Sequence, residues 1–141
     1  MSIDKKTIEK RLGKLEQVVK LLEQYKKISE ENFLIDFTVN SAAQYNLILG
    51  IEIIVDIGNH ILSEKYQVSS DDYGDVIKNL GKYEIVPAKF AKDNVNMVKF
   101  RNLIVHHYGE VDMKQVYRNL QKAPDIFRKF AQYYINFLEK N

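Results

Sequence analysis

The chain contains no cysteine. Disulfides, zinc-thiolate centres and thiol nucleophiles are therefore excluded before any pattern is read. Uninterrupted apolar runs are also lacking: the longest fall far short of the roughly 18 residues that span a bilayer. Residues 1–14 alternate charge with isolated apolar positions, with no apolar stretch of the signal-peptide kind. No membrane association is expected, and a cytoplasmic location follows by default. Excess charge is missing too, since 21 Lys and Arg stand against 19 Asp and Glu, a net +2. Bulk electrostatics thus argue neither for nor against nucleic acid, and any RNA contact needs a local basic patch. There is no alternating strand pattern, internal repeat, low-complexity tract or linker. What remains, 45% hydrophobic and 28% charged over 141 residues, is the composition of one globular domain, residues 1–141, with its own core.

What is present is helical periodicity. Ile8, Leu12, Leu15, Val18, Val19, Leu22 and Tyr25 recur at spacings of three and four and predict a helix from about Asp4 to Lys27. Gly13 weakens it by about 1 kcal/mol relative to alanine. Ser29-Glu30-Glu31-Asn32 reads as a polar break, followed by a brief apolar turn through Phe33, Leu34 and Phe37. Asn40 or Ser41 can cap a second long helix to about Lys65, with Ala43, Leu47, Gly50, Ile51, Ile54, Ile57 and Ile61 on its apolar face. The small residues Ala43, Gly50 and Gly58 invite close approach of another helix, while Glu52, Asp56, Asn59 and His60 line a polar face. A short helix over about 73–80 with Gly81 as terminator follows, and Pro87 suits the first turn of a fourth helix. Beyond Gly109, Asp112 caps another helix, and Pro124 starts or kinks a last segment. All of this describes an all-α up-and-down bundle of about five helices.

Chemistry concentrates at the end of the fourth helix. Arg101, Asn102, His106, His107 and Tyr108 fall within eight residues, around the apolar trio Leu103, Ile104 and Val105. On a straight helix Arg101 and Tyr108 lie within about 20° of each other, but His106 is about 140° from Arg101. Either the helix ends near His106, with Gly109 as terminator, or a second copy of the chain completes the site. RNA is cut without a metal when its 2′-hydroxyl attacks the adjacent phosphorus. Histidine suits the proton transfers and arginine the extra phosphate charge.

Arg101, His106 and Tyr108 spell R-x4-H-x-Y with a polar Asn102 after the arginine. This resembles the signature of the HEPN ribonuclease superfamily. The form ending in tyrosine is similar to the HepT-like toxins of HEPN/MNT toxin-antitoxin pairs. Met97 to Phe100, Gly109 to Asp112 and Ile51 to His60 agree, so the resemblance covers nearly the whole chain. It implies a HEPN-type bundle and the toxin of a type VII system: a homodimeric, metal-independent endoribonuclease cutting tRNA or mRNA, with no cofactor. Arg101, His106 and Asn102 would be catalytic. It also implies a partner, an MNT-type nucleotidyltransferase antitoxin that neutralises the toxin by AMPylation of Tyr108. A bulky anionic adduct there would fill the phosphate pocket beside Arg101.

Plainer readings stand beside these. Arg101 could make a salt bridge to Glu110 or Asp112, His106 could be a buried, satisfied histidine, and Tyr108 a surface aromatic. His107 matches no motif position. Glu52, Asp56 and His60 could be read as a metal cluster, Asp56 and His60 being four apart on one helix, but no further ligand is evident, and Asp56 or Glu52 more naturally supports Arg101 or His106. Lys114, Arg118, Lys122, Arg128 and Lys129 form either an RNA-binding strip or a solvated surface. The alternative to a nuclease is a non-catalytic HEPN module that binds a nucleotidyltransferase or a nucleotide.

Overall fold

A computed structural model describes residues 3–141, so that Met1 and Ser2 of the expected 1–141 domain lie outside the described residues. Six α-helices follow one another: α1 Lys5–Lys26, α2 Glu30–Ile35, α3 Phe37–Tyr66, α4 Tyr73–Lys82, α5 Ala88–His106 and α6 Met113–Lys140. A 3-10 turn, Tyr108–Glu110, separates α5 from α6. No strand occurs among the described residues.

α3 is the mast of the bundle and touches all five other helices. Its Ala43, Leu47, Ile51, Ile54, Ile57 and Ile61 are buried, a stripe at spacings of three and four that faces the core. By length and composition it is apolar enough to cross a bilayer, although no uninterrupted run in the sequence shows this; most of that surface is covered by neighbouring helices. Two glycines set how closely those neighbours come. A Cβ on Gly50 would stand 2.2 Å from Cε2 of Phe127 in α6, and one on Gly58 would meet the Tyr134 hydroxyl at 2.9 Å and Leu80 at 3.0 Å. The Tyr134 hydroxyl, fully buried, donates to the Ile54 carbonyl at 2.7 Å. Tyr117 donates in the same way to Ile28 O at 2.7 Å and packs on Phe33.

Five expectations need correction. The polar run at Ser29 to Asn32 is the start of α2: Ser29 Oγ accepts from the Asn32 amide at 3.2 Å, and Glu30 and Glu31 occupy the first turn, where negative charge favours the helix dipole. α3 is capped by Asp36, whose carboxylate accepts from the Val39 amide at 3.1 Å. Asn40 lies inside that helix, buried and donating to Phe33 O. Gly81 does not end α4, which runs to Lys82; it is buried where α4 and α5 nearly touch, and Glu84, at φ 59°, makes the reversal. Pro124 does not start a helix, because α6 runs through it for 28 residues. Pro87 sits at the cap of α5, one place before its first turn.

Candidate functional site

Arg101 lies on the last turns of α5, and its guanidinium turns inward. Nη2 donates to Glu52 Oε1 of α3 at 2.6 Å, and Nη1 donates to Asn102 Oδ1 at 2.9 Å. The side chain is only 14% exposed. Its Cζ stands over the ring of Tyr73, the first residue of α4, at 4.7 Å from the centroid, within the range of a cation–π contact. Nε is buried and has no hydrogen-bond partner among the described residues. The salt bridge foreseen for Arg101 therefore exists, but its partner is Glu52, 49 residues away, and neither Glu110 nor Asp112.

α5 ends at His106. The next residue, His107, leaves helical geometry at φ −133°, ψ 45° while its amide still donates to Leu103 O at 2.9 Å. Gly109 is not the terminator, since no glycine in the described chain has positive φ; it sits within the 3-10 turn that follows. This ending leaves His106 exposed, with no hydrogen bond among the described residues, rather than buried and satisfied. Val105, beside it, is 37% exposed. Arg101 and His106 are five residues apart, about 7.5 Å along the helix axis, and no hydrogen bond joins them within one protomer among the described residues. His107 Nδ1 approaches Glu110 Oε2 at 3.8 Å on the open surface.

Tyr108 is 82% exposed. It lines a shallow groove with Leu34, Ile35, Phe37, Tyr45, Ile48 and Met113, of which Ile35 and Phe37 are about as exposed as the tyrosine. Ile48 precedes Glu52 by one turn of α3, so this groove and the Arg101 pair lie along the same side of that helix.

Asp56 follows Glu52 by a turn and bonds to neither Arg101 nor His106. Partial burial pushes its carboxyl above the usual range, opposed by Arg11 and reinforced by Glu52. His60 is occupied elsewhere: its Nε2 accepts from the Asp4 amide at 3.2 Å, at the cap of α1. With Glu52 on Arg101 and His60 on Asp4, the polar face of α3 does not gather into a metal site, and no group of three or more His, Cys, Asp or Glu does so among the described residues. All five residues of the basic strip, Lys114, Arg118, Lys122, Arg128 and Lys129, are exposed, and Arg128 is also tied to Glu23 at 2.8 Å. Tyr73 escaped the reading of the sequence, in which it merely opens a helix. No linear spacing signals that residues 73 and 101 will stack.

The sequence profile described as "Ribonuclease HepT-like" matches residues 15–134. A tRNA nuclease HepT of Aphanizomenon flos-aquae is 29% identical over 99% of this chain and 98% of its own length. A putative RNase of Archaeoglobus fulgidus is 30% identical over 71% of this chain and 75% of that protein. Among solved structures, a tri-AMPylated HEPN toxin of Shewanella oneidensis in complex with an MNT antitoxin matches with a TM-score of 0.81 at 23% identity, over 89% of this chain and 94% of that one. YutE of Bacillus subtilis, described as a cytosolic protein of unknown function, matches with a TM-score of 0.84 at 24% identity, over 98% and 92%. At these identities the structural likeness speaks to the fold. The profile spans most of the chain and reaches through the whole motif: this protein belongs to the ribonuclease HepT-like family.

Proposed function

We propose that the chain is the toxin of a HEPN/MNT pair, a cytoplasmic, metal-independent endoribonuclease. The observation that carries this reading is the ending of α5, which pairs an arginine held rigidly by its neighbours with a solvent-facing, unengaged histidine. In the reaction, a 2′-hydroxyl attacks the adjacent phosphorus as its proton leaves. The bond to the 5′-oxygen breaks and that oxygen takes up a proton, leaving a 2′,3′-cyclic phosphate and a 5′-hydroxyl. His106 moves a proton and Arg101 carries the added charge on the phosphate oxygens, with Asn102 holding the Nη1 end of the guanidinium. A single motif histidine cannot be acid and base at once. Two copies that cover the exposed Val105 and bring their α5 ends together would supply both, hence a homodimer.

Tyr108 is the acceptor for control by a nucleotidyltransferase partner. Its hydroxyl is exposed and unbonded among the described residues, free to attack the α-phosphorus of ATP and release pyrophosphate. The resulting adenylyl group, anchored one helical turn from Glu52 by way of Ile48, reaches the Arg101 side of α3 and excludes RNA by charge and bulk.

The test is cleavage of tRNA and of total RNA in EDTA by protein that mass spectrometry shows to be unmodified, compared with His106→Ala. His106 is exposed, so the variant keeps the fold. Cleavage lost in the variant is the expected result; no cleavage by the wild type would refute the nuclease. One observation favours a second reading: both ends of the Arg101 fork are already occupied. If RNA is never cut, the chain is a HEPN binding module whose arginine is a structural tie.

A further inference from the structure

We infer that Tyr73 is a positioning residue for Arg101, its ring face fixing the plane of the guanidinium so that the remaining Nη1 hydrogen meets a phosphate oxygen. The inference rests on the nuclease reading and deepens it.

The geometry is a bracket of three elements. Glu52 of α3 takes Nη2 at 2.6 Å, Asn102 of α5 takes one Nη1 hydrogen at 2.9 Å, and Cζ stands over the Tyr73 ring of α4, 4.7 Å from its centroid. A guanidinium carries five N–H donors. Two are engaged, and the buried Nε has no partner, so the free donors on the Nη groups are what remains for an anion. Two hydrogen bonds at the ends of a planar group leave it able to swing about the line joining them; a ring against its face stops that swing. Tyr73 is itself held. Asp72 caps α4 by accepting from the Asp75 amide at 2.8 Å, and Asn79 donates to Ser70 at 3.1 Å across the incoming loop. The Tyr73 hydroxyl has no hydrogen-bond partner among the described residues, so the ring face does the positioning and Phe should replace it.

A contact of this class corresponds to about 3- to 30-fold in rate or affinity. The experiment compares wild type, Tyr73→Phe and Tyr73→Leu in three ways: tRNA cleavage in EDTA, binding of a fluorescent oligonucleotide with 2′-deoxy sugars that cannot be cut, and the Nε–Hε resonances of the arginines. In the wild type the Arg101 Hε, assigned with Arg101→Lys, should lie upfield of those of Arg11, Arg118 and Arg128 because of the ring above it. Y73L should move it downfield and reduce binding and kcat by about 3- to 30-fold, while Y73F behaves as wild type. Y73L equal to wild type in binding and cleavage overturns the inference, as does Y73F losing as much as Y73L. Should Y73L fail to fold, an Arg101 Hε found among the other arginines in wild type overturns it, and an upfield Hε with wild-type cleavage by Y73F upholds it. Binding that follows the ring while no variant cleaves retires the nuclease reading and keeps the bracket.

Discussion

Alanine at two glycines should move stability in opposite directions, and the contrast tests the packing of α3 against α6. Inside a helix, alanine is favoured over glycine by about 1 kcal/mol. At Gly13, exposed on α1, an added Cβ meets nothing within 4 Å, so Gly13→Ala should stabilise by about 0.5–1 kcal/mol. At Gly50 the same methyl would stand 2.2 Å from Phe127 Cε2 and 2.8 Å from Cδ2, more than about 1 Å inside the ordinary carbon–carbon separation. Phe127 is 1% exposed, so its ring cannot swing into water; α3 and α6 must part or the ring must leave its rotamer. Overpacking of this kind costs about 1–3 kcal/mol, here toward the upper end. After the propensity gain, Gly50→Ala should be destabilised by about 2 kcal/mol, and the two variants should lie about 2.5–3 kcal/mol apart. Urea unfolding followed by circular dichroism measures both, and thermal melting should separate them by roughly 10 °C. Phe127→Leu in the Gly50→Ala background should cost less than in wild type, by about 1 kcal/mol or more of coupling. A Gly50→Ala protein as stable as Gly13→Ala, or strictly additive double mutants, would refute the close approach.

Other perturbations probe the site and the core. Glu52→Gln removes the counter-charge from a mostly buried Arg101; discounted for the partial exposure of Glu52, the loss should be about 1 kcal/mol in urea unfolding, and an unchanged midpoint would show the pair to be idle. Asp56 has its folded pKa raised, chiefly by burial, so its ionisation opposes folding: the protein is relieved of this cost below the ordinary value of 3.8 and bears it as pH rises through the folded value. Asp56→Asn should therefore stabilise at pH 7 and lose its advantage near pH 3, and a constant difference across that range would contradict the shift. Glu23 behaves oppositely, since its hydrogen bond from Arg128 lowers its pKa. Its contribution is present above the ordinary 4.5 and disappears as pH falls through the folded value, so Glu23→Gln should differ from wild type at pH 7 by under about 1 kcal/mol and converge with it in acid. Tyr134→Phe deletes the buried bond to Ile54 O and should cost about 1 kcal/mol in the same assay.

Much of the architecture is readable because period and motif are local. The stripe from Ile8 to Leu22 predicts α1 within a residue or so, and the position of His106 relative to Gly109 predicts an early end to α5, although the residue expected to cause it does not. What misleads is polarity at helix starts. Ser29, Glu30 and Glu31 look like a loop because caps and first-turn acids are polar, and Asn40 looks like a cap because buried and capping asparagines share a letter. Gly81 shows the same ambiguity, for a glycine where two helices touch is indistinguishable in sequence from one at a helix end. The candidate site divides likewise. Its members on α5 announce themselves by spacing, whereas Glu52 is legible only as a polar position on an apolar helix and Tyr73 not at all, because their roles exist only once α3, α4 and α5 have packed.

The proline within α6 gives that helix a mechanical joint. Pro124 has no amide hydrogen, so the Leu120 carbonyl lacks the rung that an unbroken helix would provide. The half before the joint is pinned to Ile28 and Phe33 through Tyr117. The half after it is pinned to Glu23 through Arg128, to Phe90 through Phe130, and to Ile54 through Tyr134. One rod thus carries two loads across its weakest rung, and amide exchange near residues 120–124 should be the fastest of the buried part of α6. A displacement that begins beside the Tyr108 turn, where α6 starts, would meet this missing rung before it met the core around Tyr134.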